Sequence, residues 1–145
     1  MFSKACEYGI KATICIATHT LNSSKKIGVK EIAKETDSPE AFMAKIMQIL
    51  SKEGIVKSMK GPKGGFYIPK EELDKIMLSQ IVKAIDGDHI YRGCGLGLDN
   101  CNEDQPCPLH DQFKVIRDGL AEMLTTTSLL DLATGLDSGL TFLKR

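Results

Sequence analysis

The sequence has no apolar run long enough to cross a bilayer. The apolar stretch from Ile10 to Ala17 is short and is interrupted by Lys11, whereas a membrane-spanning helix needs about 20 apolar residues. No signal peptide is visible either. We therefore expect a cytoplasmic protein, in which thiols stay reduced.

Catalytic motifs, internal repeats and low-complexity segments are also missing. A thiol or metal enzyme would need a poised nucleophile–base pair, and the segment from Cys94 to His110 contains no such motif. We therefore expect a protein that is not an enzyme, with a metal or thiol enzyme as the remote alternative. At 145 residues, the chain is long enough for one domain with a real core and an appendage.

Net charge is zero over the whole chain, but its two halves differ in sign. Residues 1–70 carry 12 Lys and 6 acidic residues, a net charge of +6, whereas residues 71–145 carry a net charge of −6. A basic N-terminal half favours a polyanionic partner such as nucleic acid. A solvated lysine-rich surface is the simpler alternative for this feature alone.

Apolar residues at helical spacing predict a helix-turn-helix in the first third of the chain. The first helix is indicated at residues 3–21 by Ala5, Ile10, Ile14, Ala17 and Leu21. A short helix then runs from Val29 to about Thr36. Ser38 as N-cap and Pro39 at the first helical position begin the next helix, which ends near Glu53. Two helices joined by such a tight polar turn form a helix-turn-helix.

A basic hairpin is predicted directly after this motif. Ile55–Met59 and Phe66–Ile68 have strand-like composition, and Lys60–Gly65 is a glycine-rich turn between them. The turn glycines let the backbone approach a phosphate, and Lys60 and Lys63 add positive charge. The predicted fold is therefore mainly α with a small β-hairpin wing (α+β), a winged helix-turn-helix.

The C-terminal part is predicted to contain three helices. The first spans Leu78–Asp86, and Ser128 with Asp131 resembles a capping box that opens the last one. Between them, apolar residues recur at steps of four, three, four and three at Leu109, Phe113, Ile116, Leu120 and Met123. This short heptad seam favours helix pairing between two subunits, and coverage of the domain's own core is the alternative. We accordingly divide the chain into a DNA-binding domain (1–86), a cysteine-rich loop (87–108), and a dimerisation helix with a C-terminal tail (109–145).

Three of the five cysteines lie in the predicted loop. Six residues separate Cys94 from Cys101, five separate Cys101 from Cys107, and two separate Cys107 from His110. Three thiols and an imidazole in a flexible segment rich in Gly, Asp, Asn and Pro predict a metal or iron–sulfur site. Tetrahedral zinc is the alternative, although no Cys-x-x-Cys knuckle is present. The remaining cysteines, at positions 6 and 15, are interpreted as small buried apolar residues.

Three stretches, Ser3–Ile10, Phe42–Ser58 and Lys60–Phe66, resemble the Rrf2 family of bacterial winged-helix transcription regulators. The cysteine loop resembles in particular the iron–sulfur branch of the IscR and NsrR type. The resemblance implies a homodimer on a double-stranded DNA operator, with the second helix of the motif in the major groove and the wing on the minor groove. The candidate DNA-binding residues are then Ser38, Glu40, Lys45, Gln48, Lys60, Lys63, Gly64 and Gly65.

The same resemblance implies an iron–sulfur cluster on Cys94, Cys101 and Cys107. His110 stands where the IscR pattern uses histidine, which favours a 2Fe–2S cluster. Glu7 aligns instead with an aspartate of the NsrR type, which the partner subunit supplies to a 4Fe–4S cluster. The predicted function is therefore a regulator whose operator affinity depends on a cluster that senses redox state, nitric oxide or iron–sulfur status. A zinc-binding or a clusterless, thiol-responsive regulator of the same fold is the alternative.

Overall fold

The computed structural model describes all 145 residues. In chain order the elements are α1 (Lys4–Ser23), α2 (Val29–Glu35), α3 (Glu40–Lys52), β1 (Lys57–Met59), β2 (Gly65–Tyr67), a 3₁₀-helix (Lys70–Glu72), α4 (Leu78–Asp86), α5 (His89–Arg92), α6 (His110–Thr126) and α7 (Leu129–Asp137). This order confirms the predicted winged-helix architecture. None of these helices is both long and apolar enough to cross a membrane.

α1 is the central helix, because α2, α3, α4 and α7 all pack against it. It begins after Ser3, whose hydroxyl accepts the backbone N–H of Cys6 at 3.0 Å. The backbone N–H of Ser3 in turn donates to Asp86, the last residue of α4, at 2.9 Å. Gly9 lies in the contact between α1 and α4, where an added Cβ would overlap Ile85. The start of α1 is thereby fixed beside the point from which the cysteine-rich segment leaves α4.

α2 and α3 form the predicted helix-turn-helix and pack against each other. The buried side chains of α3 are Met43, Ile46, Met47 and Leu50. The predicted N-cap at Ser38 is wrong, because Pro39 occupies the cap position and no side chain caps the helix. The chain turns through Asp37 at a φ of 50°, and the Ser38 hydroxyl donates to the carbonyl of Thr36 at 3.2 Å instead.

The hairpin forms the wing, with Lys57 opposite Tyr67 and Met59 opposite Gly65. β1 is shorter than predicted, because Ile55 and Val56 turn into the core and donate their N–H groups to the last turn of α3. β2 has the predicted length but begins one residue earlier, at Gly65. A bridge that the sequence did not predict joins the wing to the segment before α2. There the N–H of Ile27 donates to Phe66 at 3.0 Å, and the reverse bond is 2.8 Å long.

The C-terminal helices return to the N-terminal core. Ser128 and Asp131 form the predicted capping box of α7, and α7 packs on α1. The sequence predicts an irregular loop from Gly87, but α5 lies within it and buries Tyr91. Since α5 packs against α6, it holds the start of the cysteine-rich segment on that helix.

The predicted heptad seam on α6 is not covered by the chain's own core. Leu124, which lies outside the seam, is fully buried, whereas Ile116 is 63% exposed, Met123 45% and Phe113 38%. Leu120 alone of the five seam residues is half-buried against the core. α6 therefore presents an apolar face that the rest of the chain leaves exposed to solvent.

Candidate nucleic-acid interface and metal centre

The exposed face of α3 carries the side chains predicted to contact DNA. Glu40, Lys45 and Gln48 are exposed, while Ser38 is half-buried in the preceding turn. The helix holds this face outward because its opposite face is the buried one. Amide and ammonium groups on one exposed helix face can reach base edges and phosphates in a major groove.

Two further lysines, which were not among the predicted DNA-binding residues, lie beside α3. The Lys4 and Lys11 ammonium groups lie 5.9 and 5.6 Å from the centre of the Tyr8 ring. The same ring meets Phe42 of α3 edge-on, with 5.7 Å between ring centres. Steps of four and three residues along α1 place these three residues on one face, which is the signal that could have identified them.

The wing turn presents Lys60 and Lys63 to solvent. Gly64 and Gly65 also have structural reasons to be glycine. A Cβ at Gly64 would overlap the carbonyl oxygen of Met59, and one at Gly65 would lie 2.9 Å from the carbonyl oxygen of Ile27. The glycines therefore keep the turn tight, and the turn carries the two lysines outward.

The Cys94 sulfur lies in a turn of backbone N–H groups. The N–H groups of Leu96 and Leu98, followed by the Cys107 side chain and the N–H of Gly97, hold the pKa of Cys94 below its ordinary value. The turn is closed by a 3.0 Å bond from Gly97 to the carbonyl of Cys94. Hydrogen bonds to sulfur favour the thiolate, which is the form that binds metal.

His110 lies at the first position of α6, next to two of the loop cysteines. Its Nδ1 atom is 3.5 Å from the sulfur of Cys101, and its backbone N–H donates to the carbonyl of Cys107 at 3.0 Å. A thiolate at about 2.3 Å and an imidazole at about 2.0 Å from one tetrahedral metal lie about 3.5 Å apart. His110 is buried and all five cysteines are free, so this donor set fits a metal or an iron–sulfur group.

Two cations of α6 hold the loop against that helix. Arg117 donates to the carbonyl of Gly93 at 3.2 Å, and a hydrogen bond with Cys101 is the main cause of its raised pKa. Lys114 forms an ion pair with Glu103 in the middle of the loop. Neither contact was predicted from the sequence, although Lys114 and Arg117 follow His110 at helical spacing on one face.

Glu7, the alternative fourth ligand, lies in the first turn of α1. Its carboxylate pairs with Lys4 at 2.9 Å, and this hydrogen bond lowers the pKa of Glu7. Within its own subunit, the Glu7 carboxylate therefore pairs with a lysine and contacts no cysteine of the loop.

Comparison with known proteins gives a consistent picture. A family model described as Rrf2, iron-dependent transcriptional regulator, matches residues 2–135. A putative HTH-type transcriptional regulator of Aquifex aeolicus is 36% identical over 134 residues, covering 91% of this chain and 90% of that protein.

Solved structures agree with the fold. CymR (YrzC), the global cysteine regulator of B. subtilis, superposes with a TM-score of 0.74 at 25% identity, over 92% of this chain and 96% of that one. IscR of T. potens gives a TM-score of 0.74 at 19% identity, over 97% of this chain and 91% of that one. The second likeness supports the fold alone.

Proposed function

This chain belongs to the Rrf2 family of transcriptional regulators, and from that premise we propose that its operator affinity depends on an iron–sulfur cluster held by Cys94, Cys101, Cys107 and His110. The observation that carries the proposal is that the four donors form two close pairs in the loop and at the start of α6. Cys94 accepts backbone N–H groups and contacts Cys107, while His110 lies 3.5 Å from Cys101. A 2Fe–2S cluster is favoured over a 4Fe–4S cluster because His110 stands where the IscR pattern uses histidine.

DNA binding is assigned to α3 and the wing. The exposed α3 residues Glu40, Lys45 and Gln48 would enter the major groove, with Ser38 at the turn before them. Lys60, Lys63 and the N–H groups of Gly64 and Gly65 would contact the backbone or minor groove at the wing. Phosphate contacts of this kind set affinity and register, while contacts to base edges set specificity.

The assembly is a homodimer paired through α6. All the seam residues are apolar and all but Leu120 are exposed in the single chain, and large exposed apolar faces mark interaction surfaces. A two-fold dimer places two copies of α3 on two half-sites, which suits an operator read as a palindrome.

Binding of a group in the loop would act on the dimer through α6. His110 begins this helix, and Arg117 and Lys114 fasten the loop to its next two turns. Any change in the loop therefore acts on the N-terminal half of the same helix that carries the seam. The free energy of DNA binding then differs between the loop with its bound group and the empty loop. This difference is the coupling free energy between the two sites, whichever state binds DNA better.

A bound cluster would supply an iron atom with one non-thiolate ligand, which is a weaker donor than sulfur. The chain's own contribution is to lower the pKa of Cys94 through backbone N–H groups and to hold the His110 ring buried beside Cys101. Glu7 of the partner subunit is the alternative fourth ligand, and it would first have to release Lys4.

The test is anaerobic purification followed by visible absorption, iron and labile-sulfide analysis. We expect brown protein with thiolate-to-iron bands, which are lost in Cys101→Ala and kept in the matched control Cys6→Ala. His110→Ala should shift the bands, while Glu7→Ala should leave them unchanged. Colourless protein after attempted cluster reconstitution would refute the cluster, and stoichiometric zinc in its place would support the zinc alternative.

The likeness to CymR favours a second candidate function. That protein is named a global cysteine regulator, and its identity to this chain is 25%. On this reading the loop thiols respond directly to thiol status without a cluster. Reversible oxidation of Cys101 or Cys107 in colourless protein, accompanied by a change in DNA affinity, would distinguish this candidate from the first.

A further inference from the structure

A second group of metal-binding side chains lies between α1 and α2, away from the cysteine loop. Cys15 and His19 are four residues apart on α1, and Glu35 is the last residue of α2. One ligand atom from each residue lies within 4.8 Å of the others. The Cys15 sulfur is 3.1 Å from a Glu35 oxygen, and His19 Nε2 is 3.0 Å from both oxygens of that carboxylate.

We propose that Cys15, His19 and Glu35 form a site for a divalent metal ion, with Zn²⁺ as the preferred occupant. Thiolate, imidazole and carboxylate are the three ligand types that zinc takes in proteins. Around one tetrahedral ion their atoms would lie about 3.3–3.5 Å apart, so the observed contacts need to open by only about 0.5 Å or less. One thiolate and one carboxylate also balance the two charges of the ion.

The site has one open side. It forms part of a cleft of 670 Å³ that is also lined by Leu136, Phe142 and Lys144 from the C-terminal end of the chain. Three protein ligands and an open fourth position are typical of a zinc site that binds water or another small ligand. Cys15 lies at the closed end, since it is buried, while the His19 and Glu35 side chains are partly exposed toward the cleft.

In the absence of metal, Glu35 forms hydrogen bonds with both Cys15 and His19. Burial is the main cause of the raised pKa of the Cys15 thiol, and its hydrogen bond to Glu35 acts in the same direction. Burial alone would raise the pKa of Glu35, but hydrogen bonds from Cys15 and His19 outweigh it and lower that pKa. A metal ion would take the place of the thiol proton, so that binding would release a proton to solvent.

The ion would link α1 to α2, the first helix of the helix-turn-helix. This inference does not depend on the cluster, because no residue of the loop takes part. The two sites can therefore be tested separately in the full-length chain.

The experiment removes the loop thiols and uses Co²⁺ alone as the probe. The parent for the titration is the full chain with Cys94→Ala, Cys101→Ala and Cys107→Ala, which leaves Cys6 and Cys15 as its thiols. We expect one equivalent of Co²⁺ to give a thiolate-to-metal band with the intensity of a single thiolate. Zn²⁺ should bleach this band and should raise the temperature of unfolding.

His19→Ala and Cys15→Ala should each weaken Co²⁺ binding by at least about 100-fold, more than the loss of a supporting hydrogen bond usually costs. Asn22→Ala, which alters a lining residue of the same cleft without removing a donor, should bind like the parent. Because His19 is only partly buried, its variant keeps the test valid if Cys15→Ala folds poorly. The proposal is overturned if the parent shows no thiolate band, or if His19→Ala binds Co²⁺ as tightly as the parent.

Discussion

The wing lysines should set part of the salt dependence of DNA binding. Lys60 and Lys63 are exposed at the wing turn and form no ion pair within the chain. A dimer would therefore bring up to four such ammonium groups to DNA. Each phosphate neutralised on B-DNA contributes about −0.9 to the slope of log affinity against log salt concentration, so removal of all four should flatten the slope by up to about 3.6.

The same contribution can be expressed as an affinity. Extrapolated from 1 M to 0.15 M salt, a slope change of about 3.6 corresponds to a loss of at most about 1,000-fold. The affinity of the double variant Lys60→Ala/Lys63→Ala should therefore fall steeply at low salt and converge with that of the parent at high salt. Phosphate contacts carry little sequence information, so specific and nonspecific duplexes should be affected alike.

The assay is fluorescence anisotropy with a labelled duplex at four or more salt concentrations. Lys75→Ala/Lys83→Ala removes the same charge outside α3 and the wing, and it should leave the slope nearly unchanged. An unchanged slope in Lys60→Ala/Lys63→Ala, or an equal effect of the control pair, would refute the assignment of the wing to the DNA backbone.

Three further predictions concern the dimer, the wing turn and the last helix. Ile116→Asp should convert the dimer to a monomer in sedimentation velocity. Val115→Asp, at a 75% exposed position off the seam, should remain dimeric, and a dimer in both variants would contradict pairing through the seam. Gly64→Ala should cost about 1–3 kcal/mol of hairpin stability through backbone overlap and should weaken DNA binding. Gly28→Ala, whose added Cβ meets no neighbour within 4 Å, is the control, and equal DNA binding by both variants would contradict this role of Gly64. Ser128→Ala should lower the free energy of unfolding by about 1 kcal/mol in urea titrations, because the helix loses its N-cap; an unchanged midpoint would count against the capping box.

The helical part of the fold was readable from the sequence because its signals are local. Periodic apolar residues, the Ser128–Asp131 pair and the glycine-rich wing turn each determine structure within a few residues, and all are confirmed. One error, at Ser38, occurs where a side chain has two possible local partners. Ser38 has the composition of an N-cap, but the positive φ of Asp37 turns its hydroxyl back to Thr36.

The candidate sites could be predicted from the sequence only where their residues are close in the chain. The cysteine loop could be recognised from its spacing, whereas the Arg117 contact depends on how the loop lies on α6. Cys15 was expected to be a buried apolar residue, and its burial is confirmed. Its position opposite Glu35 depends on the packing of α2 on α1, which no local pattern specifies.

In the proposed mechanism, the state of the cysteine loop sets DNA affinity. It is tested most directly by measuring the affinity of one anaerobic preparation for a duplex selected from a random pool, before and after iron is removed with a chelator. We expect the affinity to change by at least about fivefold in either direction, which is the lower end of typical coupling between two sites, and we expect no response in Cys101→Ala. Equal affinity of the two states for the selected duplex would contradict it.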